Sequence, residues 1–187
     1  VSPSVYTNPG KNIVIKNNHM SAQIDGGPYY GIWLCNETNG TSSTGYQVIE
    51  NNIENVYYTF IHAVYTVETT IEKNRLHNDK HTRSGYLYGI YLYNYYTRCD
   101  AKINANWLYE FNNLATGGYD GRYPIYVYMY GASNTKTLEI VNNIVDIRSN
   151  YYTPGIYVYA YAANNANVNL YHNTVHFGGN KTNGYAY

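Results

Sequence analysis

One short unit recurs six times along this chain, an aliphatic residue followed three positions later by asparagine. The six pairs are Ile15/Asn18, Ile49/Asn52, Ile71/Asn74, Ile103/Asn106, Ile140/Asn143 and Leu170/Asn173. Successive asparagines lie 34, 22, 32, 37 and 30 residues apart, an average of about 31. A period of this length predicts a solenoid, in which each repeat packs only on its neighbours.

The composition favours strands over helices. Tyrosine occurs 27 times among the 187 residues, and only 13% of residues are charged. The strong helix formers alanine, leucine, glutamate and lysine are sparse, whereas Tyr, Ile, Val and Thr favour strands and Asn and Gly favour the corners between them. We therefore expect one all-β domain spanning residues 1–187, with little or no α-helix.

Two partner classes are disfavoured by charge and hydropathy. The formal net charge is zero and the pI is about 7.1, so no basic surface is expected to attract phosphates, and nucleic acid is not an expected partner. No apolar run reaches the roughly 20 residues that span a bilayer, and no charged-then-apolar leader opens the chain. We expect a secreted or otherwise soluble chain without a membrane span.

Around each asparagine the pattern predicts strand, corner and strand. An apolar residue follows two positions after five of the asparagines, and Glu54 is the exception. Asparagine suits the corner because it tolerates the left-handed region, and its amide can bond to its copy in the next rung. The predicted ladder consists of Asn18, Asn52, Asn74, Asn106, Asn143 and Asn173.

A second strand with period-two alternation follows in five repeats, for example Gly89-Ile90-Tyr91-Leu92-Tyr93 and Gly155-Ile156-Tyr157-Val158-Tyr159. Aliphatic residues share one face and aromatic residues the other. The aligned outward positions are Trp33, His62, Tyr91, Tyr126 and Tyr157, followed by Cys35, Val64, Tyr93, Tyr128 and Tyr159, with Tyr95, Tyr130 and Tyr161 as an extension. One wall is therefore predicted to carry aromatic rings about 4.8 Å apart between rungs.

Motifs such as Ile140-Val141-Asn142-Asn143-Ile144-Val145 resemble those of the right-handed parallel β-helix family, which includes pectate-lyase-like enzymes, phage tailspikes and secreted surface proteins. The resemblance covers residues 12–187 and implies a right-handed coil of about six rungs, with residues 1–11 as a lead-in and an incomplete last rung. It specifies the coil and no particular activity. An antiparallel sandwich is the rival fold, but it gives no reason for the recurring spacing.

Three interpretations of the tyrosine wall stay open. Tyrosine is a good strand former, so the wall could be only a solvated face. A contiguous aromatic surface also indicates contact with a ligand, either sugar rings lying flat on the tyrosines or another protein subunit. The predicted binding face comprises Trp33, Tyr91, Tyr93, Tyr126, Tyr128, Tyr157 and Tyr159.

The resemblance also raises an enzymatic alternative, because polysaccharide lyases and hydrolases of this family use carboxylates and a basic residue. The wall itself cannot supply two carboxylates. Charged residues in the bordering loops are the candidates, namely Asp79, Lys80, Arg83 and Asp120, with Arg122 nearby. The histidine pairs lack a third ligand, so we expect no metal and no cofactor.

Cysteines and sequons bear on the compartment. Cys35 and Cys99 permit one disulfide or two separate thiols, since geometry decides between them. Glycosylation sequons begin at Asn36, Asn39 and Asn180, consistent with a secreted surface.

The ends of the coil bear on assembly. Neither end carries an evident cap, which suggests either a piece of a longer coil or copies stacking head to tail. We therefore expect a non-enzymatic extracellular protein, a fibre subunit or adhesin segment that self-associates. A polysaccharide-binding or polysaccharide-cleaving module is the alternative.

Overall fold

The computed structural model describes residues 11–22, 27–35, 43–79, 85–95, 99–112, 121–131, 137–148, 153–161 and 166–178. Every regular element among these residues is a β-strand, so the all-β prediction is confirmed. The strands are β1 Val14–Lys16, β2 His19–Ser21, β3 Tyr30–Cys35, β4 Ser43–Thr44, β5 Gln47–Ile49, β6 Asn52–Glu54, β7 Thr59–Val64, β8 Thr66–Val67, β9 Thr69–Glu72, β10 Arg75–His77, β11 Leu87–Tyr95, β12 Ala101–Asn104, β13 Trp107–Asn112, β14 Arg122–Tyr130, β15 Leu138–Val141, β16 Ile144–Arg148, β17 Ile156–Tyr161, β18 Val168–Tyr171 and β19 Thr174–Gly178.

These strands form a parallel β-solenoid with three main sheets. The first sheet stacks β1-β5-β9-β12-β15-β18, the second stacks β2-β6-β10-β13-β16-β19, and the third stacks β3-β7-β11-β14-β17. A short fourth pair joins β4 to β8 at a corner. Every strand pair in the described residues is parallel, which rules out the antiparallel sandwich for them.

The described residues hold fewer complete rungs than the predicted six, because the third sheet has five strands whereas the other two have six. The lead-in, residues 1–10, and the final repeat, residues 179–187, lie outside the described part of the chain. The right-handed sense of the coil and the single-domain boundaries stay predictions.

The core consists of aliphatic columns that run along the solenoid axis. In the first sheet Ile71 pairs with Ile103 and Ile103 with Ile140, and all three are fully buried. In the third sheet Ile61, Ile90 and Ile125 form an equivalent buried column. Because each such side chain contributes about 1.5–3 kcal/mol when buried, stacking of like residues supplies most of the stability.

The corner between the first and second sheets has one backbone conformation in every rung. The residue immediately before the ladder asparagine is left-handed, with φ between 54° and 57°. These six residues are Asn17, Glu50, Lys73, Ala105, Asn142 and His172. The prediction that the ladder asparagine itself takes the left-handed conformation is therefore wrong, and three of the six left-handed residues, Glu50, Lys73 and Ala105, are types that seldom adopt it.

Candidate interaction surfaces

An asparagine ladder runs along the inside of the corner that joins the first and second sheets. The Asn106 side chain shows the repeating pattern, since its Nδ2 donates to the carbonyl of Ile71 at 2.9 Å and to Oδ1 of Asn143 at 3.0 Å. Its Oδ1 accepts from both the main-chain N–H and Nδ2 of Asn74, each at 3.0 Å. The ladder comprises Asn18, Asn51, Asn74, Asn106, Asn143 and Asn173.

The second rung differs from the sequence prediction by one residue. Asn51 is the ladder member, whereas Asn52 lies outside the ladder in β6, where its Nδ2 donates to Oε1 of Glu54 at 2.8 Å. The physical reason is the pairing register, because Val48 rather than Ile49 aligns with Ile71 in the interior column. Ile53, two residues after Asn51, is then the buried apolar residue that pairs with Leu76. The second repeat therefore follows the same pattern as the others, and Glu54 is not an exception to it.

The outer face of the third sheet carries the aromatic columns in the predicted register. Strand pairing aligns Trp33 with His62, His62 with Tyr91, Tyr91 with Tyr126 and Tyr126 with Tyr157. The next column aligns Tyr93, Tyr128 and Tyr159, and the one beyond it aligns Tyr95, Tyr130 and Tyr161. We call this surface the tyrosine wall.

Ring geometry determines which parts of the tyrosine side chains are accessible on the tyrosine wall. Tyr128 and Tyr159 have ring centroids 4.9 Å apart and planes inclined by only 9°, and Tyr95 and Tyr130 are 4.7 Å apart at 8°. Rings this close and this parallel are stacked face to face, because coplanar rings would clash at such a separation. In these two columns the stacked faces cover one another, whereas Tyr91 meets Tyr126 edge to face, with ring planes inclined by 85°. This geometry argues against sugar rings lying flat on the middle of these columns.

A second group of aromatic residues borders the tyrosine wall and was missed in the sequence. Tyr88 stacks on Tyr91 at 4.7 Å and on Tyr123 at 5.1 Å. Strict alternation would turn Tyr88 inward, but Gly89 and Ile90 are both buried, which breaks the period and returns Tyr88 to the outer face. The same step at Pro124 and Ile125 in β14 was the available signal.

Desolvation shifts the pKa values of several side chains at the centre of the tyrosine wall. Burial raises the pKa of Tyr126 to about 12, with further contributions from neighbouring tyrosines, and it raises the pKa values of Tyr88 and Tyr91 as well. Burial also lowers the pKa of His62 to about 4, and its ring stacks on Tyr91 at 4.7 Å. These four side chains are therefore uncharged at neutral pH and offer neutral hydrogen-bond donors and acceptors.

The outer face of the second sheet is charged and is held together by pairs between rungs. His19 lies 3.4 Å from Oε1 of Glu54, and Nδ1 of His176 lies 2.6 Å from Oδ1 of Asp146. A hydrogen bond also joins Nε2 of His77 to Oε2 of Glu110, at the irregularity in β13. No group of three or more His, Cys, Asp or Glu suited to a metal ion is found in the described ranges.

Of the four predicted catalytic candidates, only Asp79 lies within the described residues. Asp79 is half-buried beyond β10, and its Oδ1 is buried without a hydrogen-bond partner among the described residues. Lys80, Arg83 and Asp120 lie outside the described residues, so their arrangement stays a prediction. Arg122 is not a loop residue but the start of β14, where it is fully buried and its Nη1 donates to the carbonyl of Gly85 at 2.8 Å.

No disulfide joins Cys35 to Cys99. Cys35 in β3 aligns with Val64 in β7, and Val64 aligns with Tyr93 in β11. Cys99 follows β11 in the chain, so the two cysteines belong to rungs that are two steps apart. Two steps of about 4.8 Å exceed the 7 Å limit between Cα atoms that a disulfide tolerates. The sequons at Asn36, Asn39 and Asn180 fall outside the described part of the chain.

The two outer rungs of the described coil leave interior positions exposed. Leu170 continues the column of Ile140, yet Leu170 is 48% exposed whereas Ile140 is fully buried. At the opposite end Ile15 and Met20 begin their columns and are only partly buried. Interior positions of the outer rungs are therefore less well covered than those of the middle rungs, most clearly at Leu170.

These features define the chain as a parallel β-solenoid protein with a tyrosine-rich surface. No protein-family model, no curated protein and no solved structure matches its sequence or fold significantly. In the part of the chain that the structure describes, no helix is long and apolar enough to cross a bilayer.

Proposed function

We propose that this protein is a non-enzymatic structural or interaction protein, an extracellular fibre subunit or adhesin segment that self-associates. The observation that carries the proposal is the half-exposed Leu170 on the outermost rung, in a column whose interior members are fully buried, namely Val48, Ile71, Ile103 and Ile140. The exposed end of a solenoid binds a further rung of β-structure. Such a rung buries the apolar side chains at the end and pairs with its unpaired strand edges.

The tyrosine wall supports a lateral role in the same assembly. Its columns align Tyr93 with Tyr128 and Tyr128 with Tyr159, and the rings of each pair are stacked. Tyrosine combines a large, rigid contact area with a polar tip, which suits protein interfaces. We propose that this surface contacts a neighbouring protein strand of the fibre.

Sedimentation of the full chain over a wide concentration range tests the proposal. Self-association gives a mass above the 21.4 kDa of one chain that grows with concentration, and negative-stain images show elongated particles. A mass that stays at one chain throughout, with discrete short particles in the images, contradicts self-association.

Carbohydrate binding or cleavage is a second candidate, favoured by exposed aromatic rings on the first rung. Tyr29 is 50% exposed and Trp33 is 48% exposed, so a sugar ring has access to part of each aromatic ring. Trp33→Ala should lower retention on a polysaccharide column at least tenfold. Trp107→Ala, which removes a 42% exposed indole on a different sheet, is the matched control. Equal retention of both variants rejects the candidate.

Cleavage by the same module would need the bordering loop residues. If the module cleaves polysaccharide, Asp79→Asn, Lys80→Ala and Arg83→Ala should each abolish the release of reducing or unsaturated ends. Activity that is absent in the wild type as well leaves only binding.

The extracellular location is part of the proposal and rests on composition and the three sequons. Intact-mass measurement of the native protein tests it, because a secreted chain that uses Asn36, Asn39 or Asn180 gains mass that a glycosidase removes. A native mass equal to that of the bare chain contradicts glycosylation.

A further inference from the structure

We propose that the β18–β19 end of the solenoid binds the β1–β2 end of a second copy of this chain, with Asn173 of one copy donating hydrogen bonds to Asn18 of the next. This inference rests on the proposed self-association and adds its partner, its polarity and its register. The asparagine ladder is the feature that fixes all three.

The ladder has a direction. In each rung the main-chain N–H and Nδ2 of asparagine donate to Oδ1 of the asparagine in the following rung, as Asn106 does to Asn143 at 3.0 Å for both bonds. The same two bonds join Asn143 to Asn173 at 3.0 and 2.9 Å. No step along the ladder runs the other way, so its two ends differ chemically.

One end of the ladder lacks donors and the other lacks an acceptor. Among the described residues nothing donates to Oδ1 of Asn18, although each interior copy of this atom accepts two hydrogen bonds. At the other end Nδ2 of Asn173 donates to the carbonyl of Ile140 at 2.7 Å, but no described acceptor receives its main-chain N–H. Joining Asn173 to Asn18 completes the pattern of the interior rungs.

The apolar columns match in the same register. Placing Asn173 against Asn18 sets Leu170 against Ile15 and Val175 against Met20, since these residues occupy the same columns within one chain. The junction thus covers Leu170 with an aliphatic side chain, as Leu170 itself covers Ile140. Aliphatic residues meet aliphatic residues at both positions.

The outer faces do not oppose this contact. In the same register Lys16 lies next to Tyr171, and Ser21 lies next to His176, so no like charges face each other on these strands. A cation next to an aromatic ring is favourable. Electrostatics at the junction are therefore neutral to attractive.

The polarity excludes a symmetric contact. Two β18–β19 ends placed together would set donors of Asn173 against donors, and two β1–β2 ends would set acceptors against acceptors. A contact between unlike ends does not close on itself, so it generates an open chain of copies. The structure assigns head-to-tail growth along the solenoid axis.

Two end-blocking variants of the full chain test this inference. Leu170→Lys places a charge in the column at one end, and Ile15→Lys does so at the other, while each variant keeps its second end intact. Ile144→Lys is the matched control, because Ile144 is 50% exposed on the outer face and lies one rung inside the β18–β19 end. Far-UV circular dichroism verifies folding, and Met20→Lys replaces Ile15→Lys if the latter does not fold.

The prediction is that each blocked variant sediments as one chain, and that their equimolar mixture doubles in mass and grows no further. The control variant assembles like the wild type. Dimerisation of either blocked variant alone indicates contact between like ends and overturns the inference. Assembly of both blocked variants to the wild-type size places the contact on the sides and also overturns it, while self-association stands. A wild type that never exceeds one chain overturns the proposed function together with it.

Discussion

Removing one buried amide from the ladder should destabilise the protein far more than removing the adjacent exposed one. Asn143 is fully buried and Asn142 is exposed, although the two residues are neighbours of identical type. The perturbation is Asn143→Ala, with Asn142→Ala as the control. The pair separates the ladder from the general effect of losing an asparagine at this corner.

The magnitude follows from the bonds that each side chain makes. Asn143→Ala leaves the main-chain N–H of Asn106 and the carbonyl of Ile103 without the partners that now lie 3.0 Å away. Each buried main-chain group left unpaired costs about 1–3 kcal/mol, so the loss is about 4 kcal/mol. Asn142 makes one exposed bond to Asn104, and alanine at its left-handed φ of 56° adds some backbone strain, so Asn142→Ala costs about 1–2 kcal/mol.

Urea unfolding followed by circular dichroism measures both losses, and hydrogen exchange at the Asn106 amide locates the effect. Exchange there should accelerate in Asn143→Ala and stay unchanged in Asn142→Ala. Asn143→Asp, which keeps the shape but loses the Nδ2 donor, should be destabilised at least as much as the alanine variant. Equal losses for Asn142→Ala and Asn143→Ala would refute the reasoning.

Three further predictions concern the register of the asparagine ladder, the left-handed corner residues and His62. Asn51→Ala should lower the free energy of unfolding by about 2–3 kcal/mol and Asn52→Ala by less than about 1 kcal/mol, and the reverse order in urea titrations contradicts the assigned register. Lys73→Gly should raise the melting temperature, because relief of a φ of 55° outweighs the extra backbone entropy by about 0.5 kcal/mol, whereas Lys73→Ala should not. Because the unfolded chain binds a proton at His62 near pH 6.5 and the folded chain only near pH 4, stability should be constant above pH 6.5 and fall by about 3 kcal/mol towards pH 4. His62→Phe should flatten that profile, and an unchanged profile contradicts the account of His62.

The sequence predicted the coil and most of its columns because their signal is periodic. Recurrence of an aliphatic residue three positions before asparagine identified five of the six ladder members, and alternation around Tyr91, Tyr126 and Tyr157 identified the wall. The prediction was wrong in the second rung because the sequence offers two equivalent pairs there. Val48 is followed three positions later by Asn51, and Ile49 is followed in the same way by Asn52. Only the pairing of Val48 with Ile71 decides between the two registers.

Ring orientation and ladder polarity could not be predicted from spacing. A column of tyrosines is equally compatible with rings lying flat on the sheet and rings stacked along the axis, and the separation of Tyr128 and Tyr159 decides for stacking. The direction of the amide bonds likewise depends on which atom of Asn143 faces Asn106. The separation of Cys35 from Cys99 required the register as well.

Distances between spin labels along one outer column test the central claim, that the repeats stack in parallel and in register, most directly. Gln47, Lys102, Glu139 and Asn169 occupy one outward column of the first sheet. In a Cys35→Ser background, labels at Gln47→Cys and Asn169→Cys span four steps of about 4.8 Å, which places their Cα atoms about 19 Å apart. Moving the second label to Glu139 should shorten the distance by one such step, and moving it to Lys102 by two. Distances that do not change by equal steps contradict the register.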